Sequence, residues 1–449
     1  MRLHEIYLSH VPFPLSVVHV HIGHVTPRAR HAVRQVLCDM LGWEVRFVDD
    51  SEAFAATTGL KLAYSKDPFP RALHILPHGW LDQSTMDPID PALAIINEHP
   101  CLFPVDGGDL LFDPFAASFF LLSRFEEWSP MPKDEHGRPV TKALHAARHG
   151  YLDRPVVDEW ALQLAARWRE VDPGAPDPQR AYKQAITVDL DNGLKYGGRP
   201  MWRSFGSCVR DLLKGQWSDV KERVDVLRGI APDPFLIDDE LKARFRSGSD
   251  EVKFFVLAAA RGTWDHAVPV GHPAYAKALR DLTSWAIVGL HPSYFSSERE
   301  GLTARERNAL QHVIGKDITA TRQHFLRLRV PDTLRELETL GIKEEHSFGV
   351  HDRLGFRCGT CTPYRWYDLQ QERSTELMIH PFTVMDNTLR DKLGLSPEEA
   401  VQRVRSMIAA VKRVNGTFTG LWHESFLART GKHSAWRAAI LRIIEGARA

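Results

Sequence analysis

The sequence predicts an α/β protein of two domains. Three observations support this: the chain has 449 residues, its C-terminal part contains short continuous apolar runs, and helical segments lie between these runs. One hydrophobic core rarely grows beyond about 250–300 residues. Apolar runs without polar alternation are typical of parallel strands that helices cover on both faces. A β/α alternation of this length favours a barrel, complete or incomplete, or a doubly wound sheet.

The first domain is predicted to be a smaller α/β domain over residues 1–175. Residues 15–22 are predicted to form a strand, and Thr26-Pro27 suits the N-cap and first position of the next helix. A further helix is predicted over residues 155–171. Three prolines and a glycine follow in residues 172–178 and cannot continue that helix. We place the domain boundary there.

The second domain is predicted to cover residues 180–449. Its clearest helix begins at Ser396, which can cap the helix, with Pro397 at the first position and Glu399 placed to complete a capping box. The apolar runs of this domain are predicted strands that alternate with such helices. They cover residues 185–190, 252–260, 285–290, 377–379 and 418–422.

Composition excludes several classes of partner. Basic and acidic residues are equal at 57 each, so no net charge attracts nucleic acid over long range. The N-terminus carries histidines and prolines where a signal peptide needs an apolar stretch, and no apolar run reaches the about 20 residues that cross a bilayer. Five scattered cysteines are too few for a disulfide framework. We therefore expect a cytoplasmic protein without membrane insertion.

Several predicted strands end in a residue that can bind a metal or move a proton. Asp189 and Asp191 follow the first strand, and His291, His380 and His423 follow three others. The carboxyl ends of parallel strands meet at one edge of a β/α fold, so these side chains can converge. Chance is the alternative, because the chain contains 22 histidines and a lone histidine at a strand end is more often structural.

Asp189 and Asp191 are two residues apart where the first strand opens into a loop. Two carboxylates so close favour a bound cation, since their mutual repulsion otherwise raises one pKa. The alternative is a strand-end turn in which Asp and Asn side chains cap backbone amides. Spacing alone leaves both interpretations open.

Three segments resemble the first strands of a known family in order and spacing. They are Thr187-Val-Asp-Leu-Asp191, Val252-Lys-Phe-Phe-Val256 and Val288-Gly-Leu-His291. The chain is similar there to the NodB-homology polysaccharide deacetylases, or carbohydrate esterase family 4. It most resembles a divergent group that pairs this domain with an N-terminal domain of unknown function. The recurring segments of that group are matched here by residues 113–120, 123–128, 355–360 and 366–369.

The resemblance implies a distorted (β/α) barrel with a metal centre. Asp189 would be the general base for the attacking water, and Asp191, displaced by one position from the family pattern, would be a metal ligand. His291 matches the first histidine of the family's H-x-x-x-H metal motif. The second histidine is missing, because Phe295 stands four residues later and neither it nor Ser296 replaces an imidazole well.

The later motifs of the family are matched less completely. Arg322 resembles the arginine that orients the catalytic carboxylate, and alternation in a strand would place His324 on the same face as a third metal ligand. A structural role for His324 is the alternative. His423 resembles the histidine that protonates the leaving group. The acid that tunes this histidine is hard to place, with Glu345 as a guess, and His380 is expected to be structural.

The sequence therefore predicts a metal-dependent hydrolase that removes an acyl group, expected to be N-acetyl, from a sugar or polysaccharide precursor. Zn²⁺ is the expected cation, and iron, cobalt and nickel stay open on ligand type. The expected partner is an acylated carbohydrate. The missing second histidine motivates the alternative of a pseudoenzyme that binds a glycan or a partner protein. The sugar, the oligomeric state and the role of the first domain stay open.

Overall fold

The computed structural model of the chain shows an α/β protein with two compact units. It describes residues 17–198, 201–248, 251–430 and 434–448. The smaller unit contains residues up to Ser84, Pro91–Phe119 and Trp160–Arg180, and the larger one contains Thr85–Asp90, Phe120–Glu159 and the chain from Ala181 onward. Residues 120–159 thus group with the larger unit, and the domain limits 1–175 and 180–449 stay predictions.

The smaller unit is built on a four-stranded parallel sheet of order β2-β1-β3-β4. The hydroxyl of Thr26 accepts the backbone N–H of Ala29, which confirms the predicted N-cap. The predicted strand at residues 15–22 is described from Val17 on. The strands are β1 (Val17–Ile22), β2 (Glu44–Phe47), β3 (Leu60–Tyr64) and β4 (Leu73–Ile75), and β5 (Leu93–Ile96) with β6 (His99–Leu102) form a separate hairpin.

The larger unit is built on a nine-stranded sheet of order β12-β13-β11-β10-β9-β8-β7-β15-β14. All pairs are parallel except β12 with β13. The strands are β7 (Lys183–Leu190), β8 (Glu251–Leu257), β9 (Ile287–His291), β10 (Ala320–Thr321), β11 (Glu344–Glu345), β12 (Tyr364–Asp368), β13 (Arg373–Ile379), β14 (Val384–Met385) and β15 (Thr417–His423).

Helices connect the strands in both units. One of them, α6, confirms the helix predicted over residues 155–171. The helices are α1 (Pro27–Arg34), α2 (Ser51–Ala56), α3 (Pro114–Leu122), α4 (Phe125–Trp128), α5 (His145–Arg148), α6 (Val156–Val171), α7 (Met201–Leu213), α8 (Trp217–Leu227), α9 (Asp239–Gly248), α10 (Pro273–Leu282), α11 (Leu302–Ile314), α12 (Asp332–Thr339), α13 (Pro397–Arg413), α14 (Glu424–Leu427) and α15 (Ser434–Gly446).

The structure confirms the α/β class and a large, mostly parallel sheet. The five strands predicted in the second domain correspond to β7, β8, β9, β13 and β15. The capping box at the start of α13 is also confirmed, because the hydroxyl of Ser396 accepts the N–H of Glu399 and the carboxylate of Glu399 accepts the N–H of Ser396. Among the described residues no pairing joins β12 to β14, so the closed barrel stays a prediction.

The register of the central strands positions the polar strand ends. β7 is buried along nearly its whole length, as expected for a strand with neighbours on both sides and cover on both faces. In the β15–β7 pair His423 lies beside Asp189, and in the β8–β9 pair Leu257 lies beside His291. The last residues of these strands therefore lie at one edge of the sheet.

No helix among the described residues is both long and apolar enough to span a bilayer.

Candidate metal and catalytic centre

The carboxylate of Asp189 is held by an arginine at the end of β7. Asp189 is almost fully buried, and its Oδ1 accepts a hydrogen bond from Nη1 of the buried Arg322 at 2.9 Å. The Nε of Arg322 donates to the backbone carbonyl of His346, which fixes the guanidinium in place. The other oxygen of Asp189 lies 3.7 Å from Nε2 of His291. Arg322 thus holds one oxygen of the Asp189 carboxylate, and the other oxygen faces His291.

Asp191, His291 and His324 form a group with the geometry of a metal site. Oδ1 of Asp191 lies 3.3 Å from Nε2 of His291 and 3.9 Å from Nε2 of His324, and one ligand atom from each residue lies within 4.8 Å of the others. This oxygen is shielded from solvent and has no hydrogen-bond partner among the described residues. A buried oxygen without a donor is costly, so these residues fit a cation with an Asp/His ligand set.

Hydrogen bonds to the other ring nitrogens fix both imidazoles in the tautomer that a metal needs. Nδ1 of His291 donates to the backbone carbonyl of Arg322, and Nδ1 of His324 donates to Oδ1 of Asp265 at 2.8 Å. In the neutral form of each ring, Nε2 then presents a lone pair toward Asp191. Partners of this kind orient metal-binding histidines and raise their basicity. Asp265 was not identified from the sequence. It lies in the loop after β8, and an acidic residue that follows a predicted strand was the signal that could have pointed to it.

His423 is held by a carboxylate that sequence reasoning did not identify. Nδ1 of His423 donates to Oδ1 of the fully buried Asp386 at 2.6 Å, and the backbone N–H of His423 donates to Oδ2 at 2.7 Å. Nε2 of His423 faces Oδ2 of Asp191 at 3.8 Å. Burial opposes the charged imidazolium, but the carboxylates of Asp386 and Asp191 outweigh it and raise the pKa of His423 to about 10.

The guess that Glu345 tunes His423 is wrong. The carboxylate of Glu345 accepts the hydroxyl of Thr321 at 2.6 Å and the backbone N–H of Ser347 at 2.8 Å, so it supports the neighbouring strands. Burial raises the pKa of Glu345. Asp386 is the carboxylate that holds His423, and it follows β14, a strand of two residues that leaves no apolar pattern in the sequence.

Excess negative charge characterises the centre. Burial favours the neutral acid at Asp191, but His423, His291 and His324 overcome this and lower its pKa. Burial and the neighbouring Asp191 raise the pKa of Glu424 to about 7. Glu424, also missed from the sequence, accepts the backbone N–H of Asp191 at 3.1 Å and so shapes the loop. A cation would balance these carboxylates.

The prediction that Arg322 and His324 lie on one face of a strand is wrong. β10 ends at Thr321, and His324 begins a short 3-10 turn that contains Phe325 with a positive φ of 59°. Strand alternation therefore does not place Arg322 and His324 on one face. Both side chains reach the centre because the chain turns there, which brings Arg322 to Asp189 and His324 to Asp191.

A cavity of about 290 Å³ opens beside the centre. Its volume is near the lower limit of about 300 Å³ for small-molecule sites. The structure thus brings together all six residues predicted for the site, whereas His380 stacks on His346 with ring centres 4.4 Å apart and does not line this cavity. Five of the six predicted residues line the cavity, and Arg322 lies behind Asp189; the five are Asp189, Asp191, His291, His324 and His423.

Comparison with protein families matches residues 18–173 to a family of unknown function, DUF7033. This match covers less than half of the chain. No curated protein matches the sequence.

Several solved structures are similar to the chain at low identity. A candidate polysaccharide deacetylase from Mycobacterium smegmatis is 14% identical with a TM-score of 0.38, covering 59% of this chain and 85% of its own. The 4-alpha-glucanotransferase from Thermococcus litoralis is 12% identical with a TM-score of 0.34, and the match covers 59% of this chain and 37% of the transferase. The peptidoglycan deacetylase PdaC from Bacillus subtilis is 13% identical with a TM-score of 0.26, and the match covers 60% of this chain and 84% of PdaC. Polysaccharide deacetylases are thus among the structural neighbours. Their identity to this chain is too low to assign a function, so the function has to be argued from the residues of the site.

Proposed function

We propose that the chain is a metal-dependent hydrolase that removes an acyl group, N-acetyl in the expected case, from a sugar or polysaccharide precursor. The observation that carries this proposal is the convergence of Asp191, His291 and His324 around one unpartnered oxygen. In this proposal His324 replaces the missing second histidine of the metal motif. The larger unit would then be a distorted barrel of the deacetylase type.

A divalent cation, Zn²⁺ by ligand type, would lower the pKa of a water and polarise an acyl carbonyl when bound. Asp191, His291 and His324 would hold it. Asp189 would take the proton of the attacking water, because Arg322 fixes one of its oxygens and leaves the other facing the cluster. Its burial excludes bulk water from the carboxylate.

His423 would deliver a proton to the departing amine nitrogen from another side of the centre. Asp386 holds its Nδ1 and raises its pKa, so the imidazolium carries a transferable proton on Nε2. In this proposal the centre would have a separate base and acid for hydrolysis of an amide. Their partners differ, because an arginine holds Asp189 and an aspartate holds His423.

The second candidate function is a pseudoenzyme that binds an acylated glycan or a partner protein. The absence of an imidazole at Phe295 is the observation that favours it. Both candidates use the same cavity, and turnover separates them.

The experiment is a screen of acylated sugars and nucleotide sugars for acetate release, with and without added Zn²⁺. We expect release that depends on the cation and disappears in Asp189→Asn. Asp281→Asn is the matched control, because Asp281 lies exposed in α10, paired with Lys277, and we expect it to keep full activity. Binding of a sugar without release, unchanged by Asp189→Asn, would favour the pseudoenzyme.

A further inference from the structure

The helical insertion between β7 and β8 concentrates exposed apolar side chains. Thirteen large apolar side chains are exposed in the described residues, and six of them lie between residues 209 and 230. Leu213 is 84% exposed, Trp217 70% and Ile230 69%. We call these six residues the hairpin patch: Val209, Leu212, Leu213, Trp217, Leu227 and Ile230. A concentration of exposed apolar side chains on a protein surface marks an interaction site.

The two ends of α8 carry the same pattern of side chains. Before the helix, Leu213-Lys214-Gly215-Gln216-Trp217 places a lysine and a glycine between two exposed apolar residues. After it, Leu227-Arg228-Gly229-Ile230 repeats the arrangement with an arginine. The helix has 11 residues and is therefore about 16 Å long. The hairpin patch thus has two apolar contact points, each with a basic residue beside it.

The exposed charges of this segment are all basic. Asp211 is buried against Arg223 at 2.6 Å, and the half-buried Glu222 accepts Lys195 at 2.7 Å. The two other acidic residues of the segment, Asp219 and Asp225, are half-buried as well. The exposed basic residues are Arg210, Lys214, Lys221 and Arg228. The fully exposed side chains of the segment therefore include apolar and basic residues, whereas its carboxylates are buried or half-buried.

We infer that the hairpin patch adsorbs to an anionic lipid surface. A tryptophan with leucines and isoleucine among basic residues is typical of segments that lie in the headgroup region of a bilayer. Each basic residue near an anionic surface adds attraction, and its aliphatic stem can cover apolar surface while the charge reaches the headgroups. Lysines are depleted in protein interfaces, so Lys214 and Lys221 favour lipid over a protein partner.

The insertion is connected to the loop that carries Asp191. Nζ of Lys195 and the hydroxyl of Tyr196 both donate to Glu222 in α8 at 2.7 Å. Asp233, after α8, accepts the backbone N–H groups of Lys195 and Tyr196. Adsorption of the hairpin patch would therefore hold at the lipid surface a segment that is hydrogen-bonded to the loop after β7. The inference holds whether or not the centre hydrolyses an acyl group.

Cosedimentation of the purified full chain with vesicles tests this inference. Vesicles of phosphatidylcholine with phosphatidylglycerol are compared with pure phosphatidylcholine, at low and high salt. We expect binding to the anionic vesicles that salt weakens. Leu213→Ser and Trp217→Ser should each weaken binding about tenfold, since each removes an apolar contact of about 1.4 kcal/mol. Ile95→Ser is the matched control, because Ile95 is 66% exposed in β5, and it should bind like the native chain.

Lys214→Gln with Lys221→Gln is a second test that keeps the apolar residues. This double variant should bind the anionic vesicles more weakly and with less dependence on salt. The inference is wrong if the native chain does not bind anionic vesicles, or if it binds both kinds of vesicle equally at all salt concentrations. It is also wrong if the patch variants bind anionic vesicles as tightly as Ile95→Ser does. Sedimentation velocity without lipid adds a further outcome: self-association that Trp217→Ser abolishes would assign the patch to a second copy instead.

Discussion

Glu127→Gln is expected to destabilise the protein at neutral pH and to lose most of this effect in acid. The carboxylate of Glu127 lies between the guanidinium groups of Arg124 and Arg357 and accepts hydrogen bonds from both at 2.8 to 3.0 Å. The side chain of Glu127 is 4% exposed, so solvent and salt screen these contacts little. The three residues join the segments 123–128 and 355–360 of the larger unit.

The magnitude follows from the pKa of Glu127. Burial alone would raise this pKa, but Arg357 and Arg124 overcome burial and lower it from 4.5 to about 2. One pKa unit corresponds to 1.36 kcal/mol, so the ionised Glu127 contributes about 3 kcal/mol at neutral pH as the net of its ion pairs and the cost of its burial. The folded pKa lies below the unfolded pKa. The contribution is therefore complete above about pH 4.5 and disappears as the pH falls toward 2.

The assay compares free energies of unfolding in urea for the native chain and Glu127→Gln, from neutral pH down to about pH 3. The difference should be about 3 kcal/mol or more at neutral pH, because the variant leaves two buried arginines without their carboxylate, and it should shrink in acid. Glu398→Gln is the control: its pair with Arg442 is exposed and should contribute at most about 1 kcal/mol. A Glu127→Gln difference that does not change with pH would refute the reasoning.

Three further predictions concern the centre and the fold. Asp265→Asn should weaken Zn²⁺ binding about 10- to 100-fold in competition with a chelating dye, since Asp265 orients His324; unchanged affinity would contradict this orienting role. Asp386→Asn should lower kcat for acyl release with little change in KM, because Asp386 sets the tautomer and charge of His423; an effect on KM alone would argue against it. Ser396→Ala should reduce the free energy of unfolding in urea by about 1 kcal/mol through loss of the α13 cap, and no change would show that the cap is replaceable.

Long apolar strands and helix caps were predictable from the sequence. β7, β8 and β15 have five or more consecutive buried residues each, so their patterns stand out. Ser396 and Thr26 act through side-chain bonds to residues three positions away, which a local pattern records. The strand-end residues of the centre followed from these strands, because parallel neighbours align their ends.

The remainder of the site depends on contacts between distant segments. Asp265 lies in a loop and Asp386 in the helical turn that follows β14, and they bond to histidines 59 and 37 residues away, so no local pattern marks them. β10, β11 and β14 have two residues each, too few to show a period. Glu345 looked suitable because it is acidic and near a predicted strand, but only the fold shows that its partners are Thr321 and Ser347.

Equilibrium dialysis of purified protein against Zn²⁺ tests the central claim that Asp191, His291 and His324 share one cation. We expect about one tightly bound ion per chain, lost in Asp191→Ala and in His291→Ala. His149→Ala is the matched control, because His149 belongs to a separate cluster with Asp90 and His145, and it should keep that ion. A native chain that binds no ion, or one whose binding survives Asp191→Ala, would contradict the account.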